Sequence, residues 1–145
     1  IDLNGQINML EEIYRVLKQG GIFVLTCPTM EFLIDLYNNP TTENNKRYIE
    51  FHSKNYGRPY NRFFGTDEPL SKSIVINNFM HMWGHLSIYD CPTIMKMLKT
   101  VGFANIKEHR VGEFLYEGRP LEQHGRVIPG WANWMESRTF SCSKP

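Results

Sequence analysis

The chain is poor in several features that usually announce a function. It has three cysteines in 145 residues, Cys27, Cys91 and Cys142. An odd number at such wide spacing reads as reduced core thiols rather than a disulfide framework. Its apolar runs fall well short of a bilayer span, and charged residues interrupt the first twenty positions where a signal peptide would need an apolar centre. These absences favour a soluble, cytoplasmic protein with no membrane partner. The formal net charge is +1, which implies no broad electrostatic attraction to nucleic acid or to a membrane surface. No G-x-G occurs, so the chain lacks the small-residue turn by which backbone amides approach a nucleotide. Internal repeats, low-complexity tracts and heptads are absent too, while the length suffices to bury about two-thirds of the unfolded surface as one domain.

What is present begins with a helix over 5–19. Its apolar positions Ile7, Leu10, Ile13, Tyr14 and Leu17 recur at helical spacing, and Gly20-Gly21 ends it. Asp2 or Asn4 can cap its start. Glu11 and Arg15 stand at the i, i+4 spacing of an ion pair, but burial of Leu10, Ile13 and Leu17, worth roughly 1.5 to 3 kcal/mol each, is the larger effect. The run Ile22, Phe23, Val24, Leu25 follows without alternation, which predicts a strand over 21–27 covered on both faces. Cys27-Pro28 ends it, because proline has no N–H to give and restricts the residue before it.

The phrase Arg15-Val16-Leu17-Lys18-Gln19-Gly20-Gly21 resembles the R-V-L-K-P-G-G that precedes the fifth strand of class I, type 11-like S-adenosylmethionine-dependent methyltransferases. Gly84-His85-Leu86-Ser87-Ile88-Tyr89-Asp90, with Leu98 and Gly102-Phe103 downstream, is similar to the family's helix before strand six. Val111-Gly112-Glu113, Leu121-Glu122-Gln123-His124 and the closing Phe140 to Pro145 resemble its C-terminal end. The resemblance implies a truncated Rossmann-like α/β fold with a small mixed sheet, the C-terminal half of such an enzyme. The cofactor of the parent family is S-adenosylmethionine. The half that binds it would lie outside the chain, so none is expected to bind here.

The rest of the chain divides into short elements. A helix is predicted over 30–37 with Phe32, Leu33 and Leu36 inward, ended by Asn38-Asn39-Pro40, and another over 46–56. Tyr56, Tyr60, Phe63 and Phe64 stand among arginines. Such a mixture can stack on bases, but the preferred reading is of aromatic anchors pinning an insertion with little secondary structure of its own. Residues 30–85 thus form an insertion or lid within a single domain of 1–145, and the resemblance gives that region the cover of the acceptor. Ile74, Val75, Ile76, Phe79, Met80 and Trp83 suit a helix or mixed segment beneath it. Asp90, Pro92 and Gly102 bound a helix over 91–101, the first as N-cap and the last as left-handed terminator. A charged strand over 105–111, with Lys107, Glu108, His109 and Arg110, suits a sheet edge. The loop before Trp134 follows, with Trp131 and Trp134 capping the core. A strand over 137–144 closes the chain, and the resemblance implies that it is antiparallel and inserted between the other two.

The substrate-side candidates are Cys27, Thr29, His81, His85 and Tyr89, beside the C-terminal end of the first strand or the start of the last helix, where open α/β sheets bind ligands. His85, with a near-neutral ordinary pKa, can act as a general base, and His81 and His85 four apart are also a spacing for zinc. Gly84 between them and the missing cysteine pair argue for structural or substrate-side histidines instead. No metal and no catalytic residue is assigned. A methyltransferase half working on a small-molecule acceptor is one reading. A non-catalytic module is another, since the strand at Ile22 to Leu25 would have an unpaired edge through which two copies could form a homo-oligomer. A Cys-His hydrolase using Cys27 lacks a nucleophile-turn motif.

Overall fold

A computed structural model describes residues 2–65, 67–120 and 127–145. The elements run α1 (Leu3–Val16), β1 (Ile22–Pro28), α2 (Met30–Asn38), α3 (Glu43–Tyr56), α4 (Arg58–Phe64), α5 (Lys72–His81), α6 (Cys91–Val101), β2 (Ala104–Arg110), β3 (Leu115–Tyr116), β4 (Arg119–Pro120), α7 (Gly130–Glu136) and β5 (Ser137–Ser143). The architecture is α/β. Among the described residues, no helix is long and apolar enough to cross a membrane. The chain divides into two compact units, one of residues 1–32 with 87–145 and one of residues 33–86.

The first unit is built on a three-stranded sheet in the order β1-β5-β2. The mixed sheet expected from the sequence is instead antiparallel in every pairing. The final strand inserts between β1 and β2, so the two strands that run in the same direction never touch. Nor is β1 covered on both faces. It is half-buried along its length, with Ile22 exposed, and among the described residues it pairs only with β5.

One face of this sheet carries the core. Leu10 of α1, Cys91, Ile94 and Leu98 of α6, Phe103, and Phe140 and Cys142 of β5 are buried together, with Phe23, Leu25 and Cys27 of β1 packed against them. Phe103 sits between the Tyr14 ring, edge-on at 5.1 Å, and the Phe23 ring, stacked at 5.6 Å. The other face sets hydroxyls of β5 opposite Ile22, Val24 and Thr26 of β1. Thr26 and Thr139 hydroxyls meet at 2.9 Å, and His109 Nε2 lies 2.7 Å from Ser141 Oγ.

The helix ends follow local chemistry. Asp2 Oδ1 accepts from Gly5 N–H to open α1, and Asp90 Oδ1 accepts from Thr93 N–H to open α6. Gly102 closes α6 at φ +115°, and Phe103 N–H returns to Leu98 O. At the end of α1, Lys144 Nζ donates to the carbonyls of Tyr14, Arg15 and Leu17, completing acceptors that the helix leaves open. Gly21 must be small, since an added Cβ would stand 2.7 Å from Lys18 O. The Lys-Gln-Gly-Gly turn thereby lets Gly20 and Gly21 exchange backbone hydrogen bonds with Lys144.

Several expectations need correction. Arg15 pairs with Glu12, one turn back, and not with Glu11. Trp134 does not cap the core. It is 46% exposed and lies beneath the Arg110 guanidinium at 4.5 Å. The Gly112 to Trp134 loop contains the β3–β4 hairpin and α7, whereas the Leu121 to His124 phrase lies outside the described residues.

The second unit is helical. Capped by Thr42, α3 begins at Glu43, three residues ahead of the expected start at Lys46. The stretch expected to have little secondary structure of its own forms α4, opened by Pro59 in its first turn. Phe63 and Phe64 are exposed, at odds with a role as anchors, while Tyr56 packs edge-on to Trp83 at 5.0 Å. Leu33, Leu36, Tyr48, Val75 and Phe79 are buried.

Candidate functional site

The C-terminal end of β1 gathers three of the five residues singled out from the sequence. Cys27 lies on the apolar face of the sheet, and both it and Tyr89 pack against the core of the first unit. Tyr89 O accepts from Met30 N–H at 3.0 Å, which fixes the entry of α2. Between them Thr29 is fully buried, its N–H donating to Glu136 O at 3.2 Å. Glu31, in the first turn of α2, accepts from Cys91 N–H at 2.8 Å.

The electrostatics of this corner disfavour thiol chemistry. Burial, and then the nearby Glu31 carboxylate, push the Cys27 thiol up to about 12. The same causes lead for Cys91, also pushed to about 12, and burial raises Cys142 to about 11. A nucleophilic cysteine needs the thiolate near neutral pH, so these side chains serve as core thiols.

His81 and His85 belong to the second unit and are described there. His81 is the last residue of α5, after which Trp83 and Gly84 take left-handed backbone at φ +58° and +77°. The helix that would set both imidazoles on one face therefore stops at the first of them. Among the described residues, no group of three or more His, Cys, Asp or Glu side chains could hold a metal ion. His85 Nδ1 lies 2.8 Å from Phe79 O. A carbonyl only accepts, so Nδ1 carries the proton, which leaves Nε2 as acceptor in the neutral ring.

Two features of the molecule had no signal in the sequence. Asn133 on α7 and Ser137 at the head of β5 are buried beside Thr29 in the backbone network. Pro28 stands opposite Ser137 in register, and Ser137 N–H donates to Asn133 O. In the second unit, His52 is fully buried, with Nε2 2.9 Å from Asn78 Nδ2, and burial lowers its pKa to about 4.

The chain matches no family model and no curated protein.

Proposed function

We propose that this chain is the acceptor-side, C-terminal part of a cytoplasmic S-adenosylmethionine-dependent methyltransferase, acting on a small molecule and inactive alone. The observation that carries the reading is the strand order. A closing antiparallel strand lies between β1, which follows the Arg15 to Gly21 phrase, and β2, which follows the Gly102-Phe103 helix end. Cys27, Thr29 and Tyr89 then stand at the end of β1 that open α/β sheets use for ligands. Methyl transfer asks for alignment of the reacting atoms and exclusion of water more than for a catalytic side chain, and the half-buried Cys27 and Tyr89 would line such a wall.

The cofactor itself does not fit the residues present. The turn from β1 into α2 runs through Pro28 and the fully buried Thr29, with no glycine to let backbone approach an adenosine or carboxylate group. No chemical step is derived through it. Calorimetry tests the reading, and S-adenosylmethionine should give no binding heat with this chain alone. Micromolar binding would refute the division of labour.

A second reading, a dimerisation module, is favoured by the contrast between the two sheet edges. β2 carries Lys107, Glu108, His109 and Arg110 and a register shift after Ala104, which guard an edge. The sequence of β1, Ile-Phe-Val-Leu-Thr-Cys-Pro, has no charge, and its only proline is its last residue. Antiparallel self-pairing at Ile22 to Leu25 would bring no like charges together. Sedimentation at micromolar concentration should then give a dimer that Val24→Lys disrupts. A monomer would count against this reading and leave the first untouched.

A further inference from the structure

At the end of β2 two arginines face each other across the sheet. Arg110 stands directly opposite Arg138 of β5, where side chains share a face at close approach and like charges destabilise the pair. Both guanidinium groups converge on one residue of α7. Arg110 lies over the Trp134 ring at 4.5 Å, and Arg138 Nη1 is 3.5 Å from Trp134 O. Burial, and then the charge of Arg110, hold the Arg138 guanidinium below its ordinary pKa. Glu108 offsets part of this charge, with Oε1 3.5 Å from Arg138 Nε. Arg138 Nη1 also donates to Ser137 O at 2.8 Å, so a structural tie between α7 and the sheet accounts for Arg138. It does not account for Arg110. Among the described residues the Arg110 guanidinium has no ion pair, and Glu113 accepts from its backbone N–H instead. A guanidinium stacked on an indole uses its face and leaves the in-plane N–H groups to donate.

We propose that Arg110 and Arg138, held on Trp134, bind an oxyanion: the phosphate or carboxylate end of a small molecule. Such a group presents paired oxygens that match a guanidinium fork, and its charge relieves the repulsion between the two arginines. Cys27 stands opposite Arg138 on the other side of β5. The anion therefore lies in the row of the sheet that ends at Cys27, with Arg110 two strand spacings, roughly 10 Å, from that residue. One extension rests on the methyltransferase reading: the acceptor would carry this anionic group. The anion site itself does not depend on it.

NMR titration of the isotope-labelled chain with inorganic phosphate and, separately, with acetate tests the site at the Trp134 indole and Arg110 Nε–H resonances. Saturable shifts are expected, with phosphate alone, acetate alone or both identifying the class of anion. Arg110→Gln should weaken binding about tenfold or more. Lys107→Gln removes the same charge from the opposite face of β2 and should leave binding unchanged. Arg110→Lys keeps the charge but loses the fork, so it should bind less tightly than wild type, and it carries the comparison if Arg110→Gln fails to fold by circular dichroism. No saturable shift with either anion, equal weakening by Arg110→Gln and Lys107→Gln, or wild-type affinity in Arg110→Lys would overturn the proposal. None of these readouts involves S-adenosylmethionine, so a failure here is distinct from a failure of the methyltransferase reading.

Discussion

Acidification should loosen the helical unit of residues 33–86 through one side chain, His52. Its Nε2 faces the Asn78 amide nitrogen at 2.9 Å, and Asn78 Oδ1 accepts from the Tyr60 hydroxyl at 2.8 Å. An amide nitrogen only donates, so His52 Nε2 must accept and the ring is neutral. Three helices, α3, α4 and α5, meet in that chain. Protonation places a second donor against the first, in a pocket walled by the rings of Tyr48, Tyr56, Phe79 and Trp83. Burial accordingly lowers the pKa from 6.5 to about 4.

Because the folded state holds the lower pKa, the unfolded chain binds the extra proton first. The stabilisation is complete above pH 6.5, shrinks as pH falls, and is fully lost below about 4. A span of about 2.5 pH units at about 1.4 kcal/mol each gives a loss of about 3 kcal/mol. Asp35 is held below its ordinary 3.8 by hydrogen bonds from Asn45 and Asn39, so its own acid loss lies mostly below this interval. Urea denaturation across the interval, with His52→Gln as the non-titrating control, reads the effect. The wild type should lose stability between pH 6.5 and 4 and the variant much less. Equal slopes, or an NMR titration of His52 near 6.5, would refute the reasoning.

Leu98 is fully buried between α6 and the sheet, so Leu98→Ala should cost about 2 to 5 kcal/mol by chemical denaturation. Gly21→Ala would drive a Cβ to 2.7 Å from Lys18 O and should cost about 1 to 3 kcal/mol, with weakened exchange protection at Lys144. Cys27, with its thiol pushed up to about 12, should be alkylated far more slowly near pH 8 than a free cysteine, and reactivity like that of a model thiol would contradict its burial.

What the sequence disclosed was mostly local or carried by a long-range resemblance. Asp90, Pro92 and Gly102 bound α6 because capping and left-handed termination act within a turn. The position of β5 between β1 and β2 came from the family likeness, since no pattern in Ser137–Ser143 names its partners. The start of α3 was missed because Thr42, not the apolar spacing, sets it. Arg15 reaches Glu12 instead of Glu11 because both lie within reach of a helix turn, and side-chain geometry decides between them. Asn133 and Ser137 were illegible for a different reason: they join Thr29 only through a strand pairing more than a hundred residues apart in the chain.

The account turns on whether the cofactor site lies outside these 145 residues. The most direct measurement is S-adenosylmethionine calorimetry on two proteins, this chain and the same chain extended by whatever is encoded immediately before Ile1. The account predicts no heat for the first and micromolar binding for the second, with a strand and a glycine-rich turn in the added residues. Binding by the shorter chain, or an extension that carries no such turn and binds nothing, would contradict it.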